Sequence, residues 1–392
     1  MKAIQKKFIC AAAVGGALVL TAVGVTRSGW FHRETKGSNE TEAAQEAYQT
    51  VASDVTFWYT DDTYTEFFTQ AALAYYEKTG IKVNVQCQET LDYIGKIYDA
   101  TMGGEAFPDV YLIAGDNLEE VYRYGLAEEN KKGLDGVNTA KNAVTAATYR
   151  DKLLGYPLGY NTCVFIYQTD YFEAAPNSLQ ALIDYSNQNE PPENVEYLLE
   201  WDVNDAFYDF PFISNSVTFE KTEPEVLQVI YDQTLYQQDL DYFATILQSF
   251  SIDTETVSEE SILDNFRNGR TLSALIDTSS LKQLEGYGYS LMKIPALNET
   301  LPAYPCATTD MLVVNDFSDK GDEAADFAYF ATVTMAEQLH PLSGHYSVIP
   351  SREPDWVEQV AYESYESAIL APNSVDARDF WVALEETISK YF

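Results

Sequence analysis

Three observations predict an α/β chain with mostly parallel sheets. A strand–helix–strand unit opens the folded part, a second strand-to-helix unit follows from Val110, and strand and helix signals alternate from there to the C-terminus. In the first unit Val55–Tyr59 is β-branched and aromatic, and Asp61-Asp62 breaks it. Thr63 and Glu66 have capping-box spacing, in which two side chains satisfy orphan helix N–H groups reciprocally. Phe67, Ala71 and Tyr75, beside Phe68, Ala72 and Tyr76, recur at i, i+4 and give a helix one apolar face. Gly80 stops that helix, and Ile81–Val85 alternates like a strand. A crossover of this length makes the two strands parallel neighbours. Ligands of such sheets lie beyond the carboxyl ends of the strands, here the Tyr59–Thr63 loop.

The remaining elements follow in order. Tyr93–Thr101 reads as a short helix ending at Gly103-Gly104, and Val110–Ala114 as a buried strand. Asp116 with Glu119 forms a second capping pattern, opening a helix that closes at Gly125. Asp116 therefore sits where ligands collect, as helix cap, ligand contact or both. Lys152–Leu158 and Thr162–Gln168 read as strands flanking Gly159-Tyr160-Asn161, and Ser178 precedes a helix over Leu179–Ser186. The stretch 188–225 is polar and Pro-containing but carries Trp201, Phe207, Tyr208, Phe210 and Phe212. Helices are expected at Glu225–Gln237, Asp239–Phe250 and Ser258–Asn268, and strands at Thr271–Ile276, Tyr289–Ile294 and Asp310–Val314. A long amphipathic helix spans Lys320–Leu339, Ser347–Pro350 is extended, and helices over Asp355–Leu370 and Val375–Tyr391 finish the chain. There is no internal repeat.

Residues 1–33 are of another kind. Lys2, Lys6 and Lys7 precede Phe8–Val25, an uncharged apolar run that reads as a signal peptide or signal anchor. Cys10 lies at the start of the run, not at its end, so the usual lipoprotein site is not evident. Residues 34–53 are small and polar, a flexible spacer. These features predict export to the extracellular face of the membrane, with the segment either retained as an anchor or cleaved. The chain carries 24 basic and 61 acidic residues, and its net charge of −37 repels nucleic acid and anionic lipid. Cys87, Cys163 and Cys306 are widely spaced, which is no zinc motif and allows at most one disulfide.

Seven segments, in order, resemble the extracellular solute-binding proteins of ABC importers, specifically the sugar-binding group typified by the maltose-binding protein. They are TGIKV, FPDVYLIAGD, YGLAEE, LLGYPLGYNTCVFIYQTDYF, FRNGRTLSALIDTSS, DEAADFAYFATVTMAEQLHPLSGHYSVIPS and DFWVALEETI. The resemblance implies a two-lobed periplasmic-binding-protein type II fold, with mixed, mostly parallel sheets flanked by helices. It puts the first lobe at 54–158 plus 309–355, the second at 163–304 plus 358–392, and the hinge at 159–162 and 305–308. It further implies a monomer that closes on a small-molecule solute, most simply a sugar, and presents it to the transmembrane subunits of a permease. No catalysis, cofactor or metal is expected.

Sugar binding uses aromatic faces for ring faces and planar polar groups for hydroxyl pairs. Asp61 and Asp62 lie in the first strand-to-helix loop, where the family places polar contacts, or else complement the helix dipole. Tyr59 and Tyr64 bracket that loop and join the candidates. By the resemblance, Asp116 contacts sugar hydroxyls, Asn161 is a polar contact at the hinge, and Phe207 falls near a second-lobe aromatic. Trp381 matches a stacking tryptophan. Two family aromatics are replaced, one by Ile113 and one in the Ser279-Ser280 neighbourhood, which argues against maltodextrin itself. Two alternatives stay open. Asp61, Asp62 and Asp116 with Trp58, Tyr59 and Trp381 would cage a polyamine or other cation if they converge. A membrane-tethered ligand sensor would share the fold. Ser279-Ser280-Leu281-Lys282 and Lys78-Thr79-Gly80 spell two motifs of penicillin-recognising serine enzymes, but in reversed order and without the third.

Overall fold

The computed structural model describes residues 53–391 except 173, 174, 223–225, 251, 253, 255, 373 and 376. The Phe8–Val25 run and all but the last residue of the spacer lie outside them. Strand β1 (Val55–Tyr59) leads through the helix Thr65–Thr79 to β2 (Val83–Cys87), with which it pairs in parallel, Val55 opposite Val83. Gly80 closes the helix at φ +77°. The expected capping box does not form. The helix has no side-chain cap, and Thr63 Oγ1 instead meets Asp61 Oδ1 (2.6 Å) and His345 Nε2 (2.8 Å). The helix Tyr93–Gly103 precedes β3 (Val110–Ala114), which is parallel to β1. Asp116 does not cap either: the Leu118–Arg123 helix begins without a side-chain cap bond.

A small hairpin, β4 (Thr148–Tyr149) and β5 (Lys152–Leu153), precedes one continuous strand, β6 (Gly155–Tyr167). The expected break at 159–161 is absent. Gly159 serves close approach, not a turn: a Cβ there would lie 3.2 Å from the Tyr346 carbonyl oxygen and 3.3 Å from the Tyr64 hydroxyl. Next come the hairpin β7 (Val217–Thr222) and β8 (Val226–Tyr231), then β9 (Ser273–Asp277), β10 (Ser290–Met292), β11 (Cys306–Val314), β12 (Tyr346–Ser347) and β13 (Ile369–Leu370). The helix expected at Glu225–Gln237 is thus largely β8, which pairs with β7; the chain turns helical only at Gln233–Phe250, where Asp232 Oδ1 accepts from Thr234 N and Leu235 N. The 320–339 helix is also broken, into Gly321–Tyr329, a wider turn over Phe330–Thr334 and a tighter one over Ala336–Gln338. Thr332 Oγ1 bonds back to the Ala328 carbonyl (2.9 Å), an alternative to the regular ladder that loosens helices.

The main sheet runs β10-β6-β11-β3-β1-β2, with β9 and β12 on β6 and β13 on β11. It is mixed: β1–β2, β1–β3 and β11–β13 are parallel, while β11 is antiparallel to β3 and β6, and β6 to β9, β10 and β12. The expectation of mostly parallel pairing fails because β6 and β11 run long and antiparallel through the centre. Residues 155–162 of β6 pair with β11, and 163–167 pair with β9 and β10, so one strand joins two ladders. Separate cores flank this crossing. One gathers Val55, Phe57, Phe67 and Phe68. The other gathers Trp201, Phe210 and Phe212 from the stretch that reads as polar in sequence, with Phe243 from the Gln233–Phe250 helix. Burying each such ring contributes roughly 1.5–3 kcal/mol.

Candidate functional site

The loop after β1 and the loop after β3 lie at the same end of neighbouring parallel strands, as sheet geometry requires. Asp61 is committed locally, with Oδ1 accepting from Thr63 N (2.9 Å) and Oγ1, while Oδ2 stands 3.7 Å from His345 Nε2. Asp62 is exposed in the first turn. Tyr64 is buried, stacks on the His345 ring (4.2 Å between centroids) and donates to Asp310 Oδ2 at 2.5 Å. Burial pushes the Asp310 carboxyl up; His345 and the Tyr64 hydroxyl oppose this, and Asp61 and Asp116 add to it. Tyr64 thus bonds Asp310 directly, and Asp61 and Asp116 lie near enough for their charges to act on its carboxyl. Asp116 is exposed as a residue and accepts from Asn117 Nδ2 (2.7 Å), while burial of its carboxyl pushes it up against the pull of Arg378.

The other sequence candidates lie apart from this group. Tyr59 is enclosed, donating to Thr65 Oγ1 (2.9 Å) and stacking on Phe57, so it is core and not cleft wall. Asn161 fastens the crossing: its Nδ2 donates to Asp277 Oδ2 (2.9 Å), and its Oδ1 accepts from the backbone N–H (3.1 Å) and hydroxyl (2.9 Å) of Thr278. Phe207 is half-buried in the short helix Ala206–Asp209 and meets Tyr208 edge-on (5.5 Å). Trp381, also half-buried, lies on the terminal helix Ala377–Ile388 against Phe380 (4.9 Å) and Phe210 (5.7 Å).

Several polar residues escaped the sequence reading. Glu259 accepts from Tyr208 (2.9 Å) and Ser280 (2.8 Å), and burial with Asp277 nearby pushes its carboxyl up. Asp310 had a usable signal, as a charge inside the apolar run MLVV's strand. His345 had only its rarity, as one of three histidines. Glu119, read as a capping residue, is 1% exposed and binds across to Ser374 and Val375. Among the described residues no cluster of His, Cys, Asp or Glu is arranged to hold a metal ion, and no helix is long and apolar enough to cross a membrane. Cys163 and Cys306 are both buried and unbonded.

Such loops at the carboxyl edge of a sheet, with a second core carried on crossing strands, define a ligand-binding class of fold. A profile of the bacterial extracellular solute-binding proteins matches residues 70–354, and the chain belongs to that family. It is 24% identical over 206 residues to a maltooligosaccharide ABC transporter solute-binding lipoprotein of Streptococcus pneumoniae serotype 4, covering 50% of this chain and 46% of the relative. A second pneumococcal protein of that description is 26% identical over 151 residues, or 36% and 35% of the two chains. The chain thus spans less than half the length of these curated relatives. Among solved structures, a Staphylococcus aureus extracellular solute-binding protein in complex with maltose matches at TM-score 0.70 and 20% identity, over 86% of this chain and 92% of that one. A cyclo/maltodextrin-binding protein with maltotetraose gives 0.74 and 16%, over 87% and 92%. A maltotriose-binding protein of Thermus thermophilus gives 0.69 and 17%, over 86% and 94%. The fold is the one these proteins share.

Proposed function

We propose that this protein is the solute-binding component of an ABC importer. It captures a mono- or oligosaccharide between two lobes, 54–158 plus 309–355 and 163–304 plus 358–392, and hands it to the permease subunits. The observation that carries the reading is the unbroken passage of β6 from one ladder to another beside β11, at the 159–162 and 305–308 segments. A crossing strand pair can bend without losing its ladder, which suits closure around a solute. The curated relatives are described as maltooligosaccharide-binding, which favours a neutral saccharide. In this reading Trp381, half-buried on the terminal helix, is the ring face and Asp116, in the loop after β3, the hydroxyl acceptor. Ile113 is buried and the Ser279-Ser280 turn has no ring, which argues against maltodextrin itself as the solute. The protein acts by binding, without catalysis, as a monomer on the outer face of the membrane, held by its N-terminal segment or released.

One observation favours a second reading. Asp61 and Asp116 both push the buried Asp310 carboxyl up, and of the nearby cations Arg378 is already engaged by Glu120 at 2.6 Å. Converging carboxylates in a desolvated cleft would be relieved by a cationic solute such as a polyamine. A thermal-shift screen of saccharides, polyamines and amino acids separates the two. A ligand at 100 times its Kd stabilises the fold by about 2.7 kcal/mol. Neutral saccharides alone should raise the Tm; a response to polyamines only would replace the sugar reading with the cationic one.

A further inference from the structure

One set of polar contacts joins the Trp201 core to a further core around Trp58 and Tyr111. The Leu118–Arg123 helix sets Leu118 and Val121 into the core that holds Trp58 and Tyr111. The terminal helix sets Phe380, Leu384 and Ile388 into the core around Trp201. Between them Glu119, 1% exposed, accepts from the backbone N–H of Val375 on Oε2 (2.8 Å). Its Oε1 is held on its own side by the Tyr149 hydroxyl (2.9 Å) and Arg123 (2.7 Å). One residue on, Glu120 pairs with Arg378 at 2.6 Å. Asp116 lies about one turn before these glutamates, and Trp381 about one turn after Arg378. The contacts thus couple the loop bearing a polar contact to the helix bearing the ring face.

We propose that Glu119 and Glu120 are positioning residues, a clamp that grips the start of the terminal helix and fixes the spacing between Asp116 and Trp381, so that the clamp sets the balance between open and closed lobes. The inference rests on the two-lobed solute-binding reading given above. The division of labour follows from burial. A buried carboxylate accepting a backbone N–H makes a strong, geometrically strict bond. The Glu120–Arg378 pair, with the arginine side chain 66% exposed and the glutamate 19%, lies at the edge of the surface and contributes modest stability as a single pair. Its weight lies in the difference between two states of nearly equal free energy, where small terms move populations.

Small-angle X-ray scattering of the full chain without solute tests the clamp independently of what the solute is. Arg378→Glu places like charges across the contact at a side chain that is itself mostly exposed, and should raise the radius of gyration while leaving the Tm within about 2 °C of wild type. Glu120→Lys alone should do the same, and Glu120→Lys with Arg378→Glu should restore the wild-type value. A merely structural role would not show that rescue. Glu119→Gln, which weakens the grip on Val375, should open the protein further than either surface variant. An unchanged radius in Arg378→Glu, or a double variant as expanded as the singles, overturns the proposal. Failure of every saccharide to bind would refute the functional reading and leave this scattering result to stand by itself.

Discussion

Asp239 offers a quantitative test of the second core. Its residue is fully excluded from solvent within the Gln233–Phe250 helix, and neither carboxyl oxygen has a hydrogen-bond donor. Ser216 lies beside it, but the Ser216 hydroxyl donates to the Ile213 carbonyl (2.9 Å). Burial pushes the Asp239 carboxyl from its ordinary 3.8 up to about 6. The sign follows from linkage. The folded state holds the proton more tightly than the unfolded chain does, so the associated stability is fully present below pH 3.8 and is lost as pH rises through 6. A shift of about two pKa units corresponds to about 3 kcal/mol. Asp239→Asn keeps the shape and removes the charge. It should therefore leave stability near pH 4 almost unchanged and raise it at pH 7.5 by up to about 3 kcal/mol. Denaturant unfolding of wild type and variant across pH 4–8 reads the difference directly, and other titrating groups cancel between the two proteins. An equal difference at both ends of the range would refute a buried, titrating Asp239.

Three further outcomes follow from the cleft and the crossing. Trp381→Ala should weaken saccharide binding by roughly 1–3 kcal/mol in isothermal titration while circular dichroism stays unchanged, because the residue is only half-buried. Tyr64→Phe removes the donor to Asp310 and should destabilise the fold by about 1–3 kcal/mol, measured by chemical denaturation. Gly159→Ala would push a Cβ to 3.2 Å from the Tyr346 carbonyl oxygen and 3.3 Å from Leu339 Cδ2, and should lower stability by roughly 1–3 kcal/mol as overpacking does. A Tm equal to wild type would show that the crossing has room to spare.

Local rules carried the first unit well. A β-branched run, an apolar stripe and a stopping glycine set β1, the helix Thr65–Thr79 and β2 within a few residues. They failed where tertiary contacts decide. Gly159-Tyr160-Asn161 looks like a turn, but Gly159 is there to admit a neighbouring carbonyl and hydroxyl, which no local pattern announces. Val226–Tyr231 has no helix-breaking residue, and only its pairing with β7 makes it a strand. Thr63–Glu66 and Asp116–Glu119 match the capping spacing, yet Thr63 and Glu119 reach partners at positions 345 and 375 instead. The candidate site was legible at its loops, because strand ends announce themselves in sequence. Asp310 was legible only as a charge opening an apolar strand, and its role, like that of His345, was not, because their partners lie about 246 and 282 residues away.

The position of the bound solute is the central question. A crystal structure of the protein with the best saccharide from the thermal screen tests this most directly. The expected density lies between the loops after β1 and β3 and the terminal helix, with a sugar ring on the face of Trp381 and hydroxyls within hydrogen-bond reach of Asp116. Density on the outer surface, or in the apolar crevice lined by Val144, Phe219, Leu227 and Leu370, would contradict it.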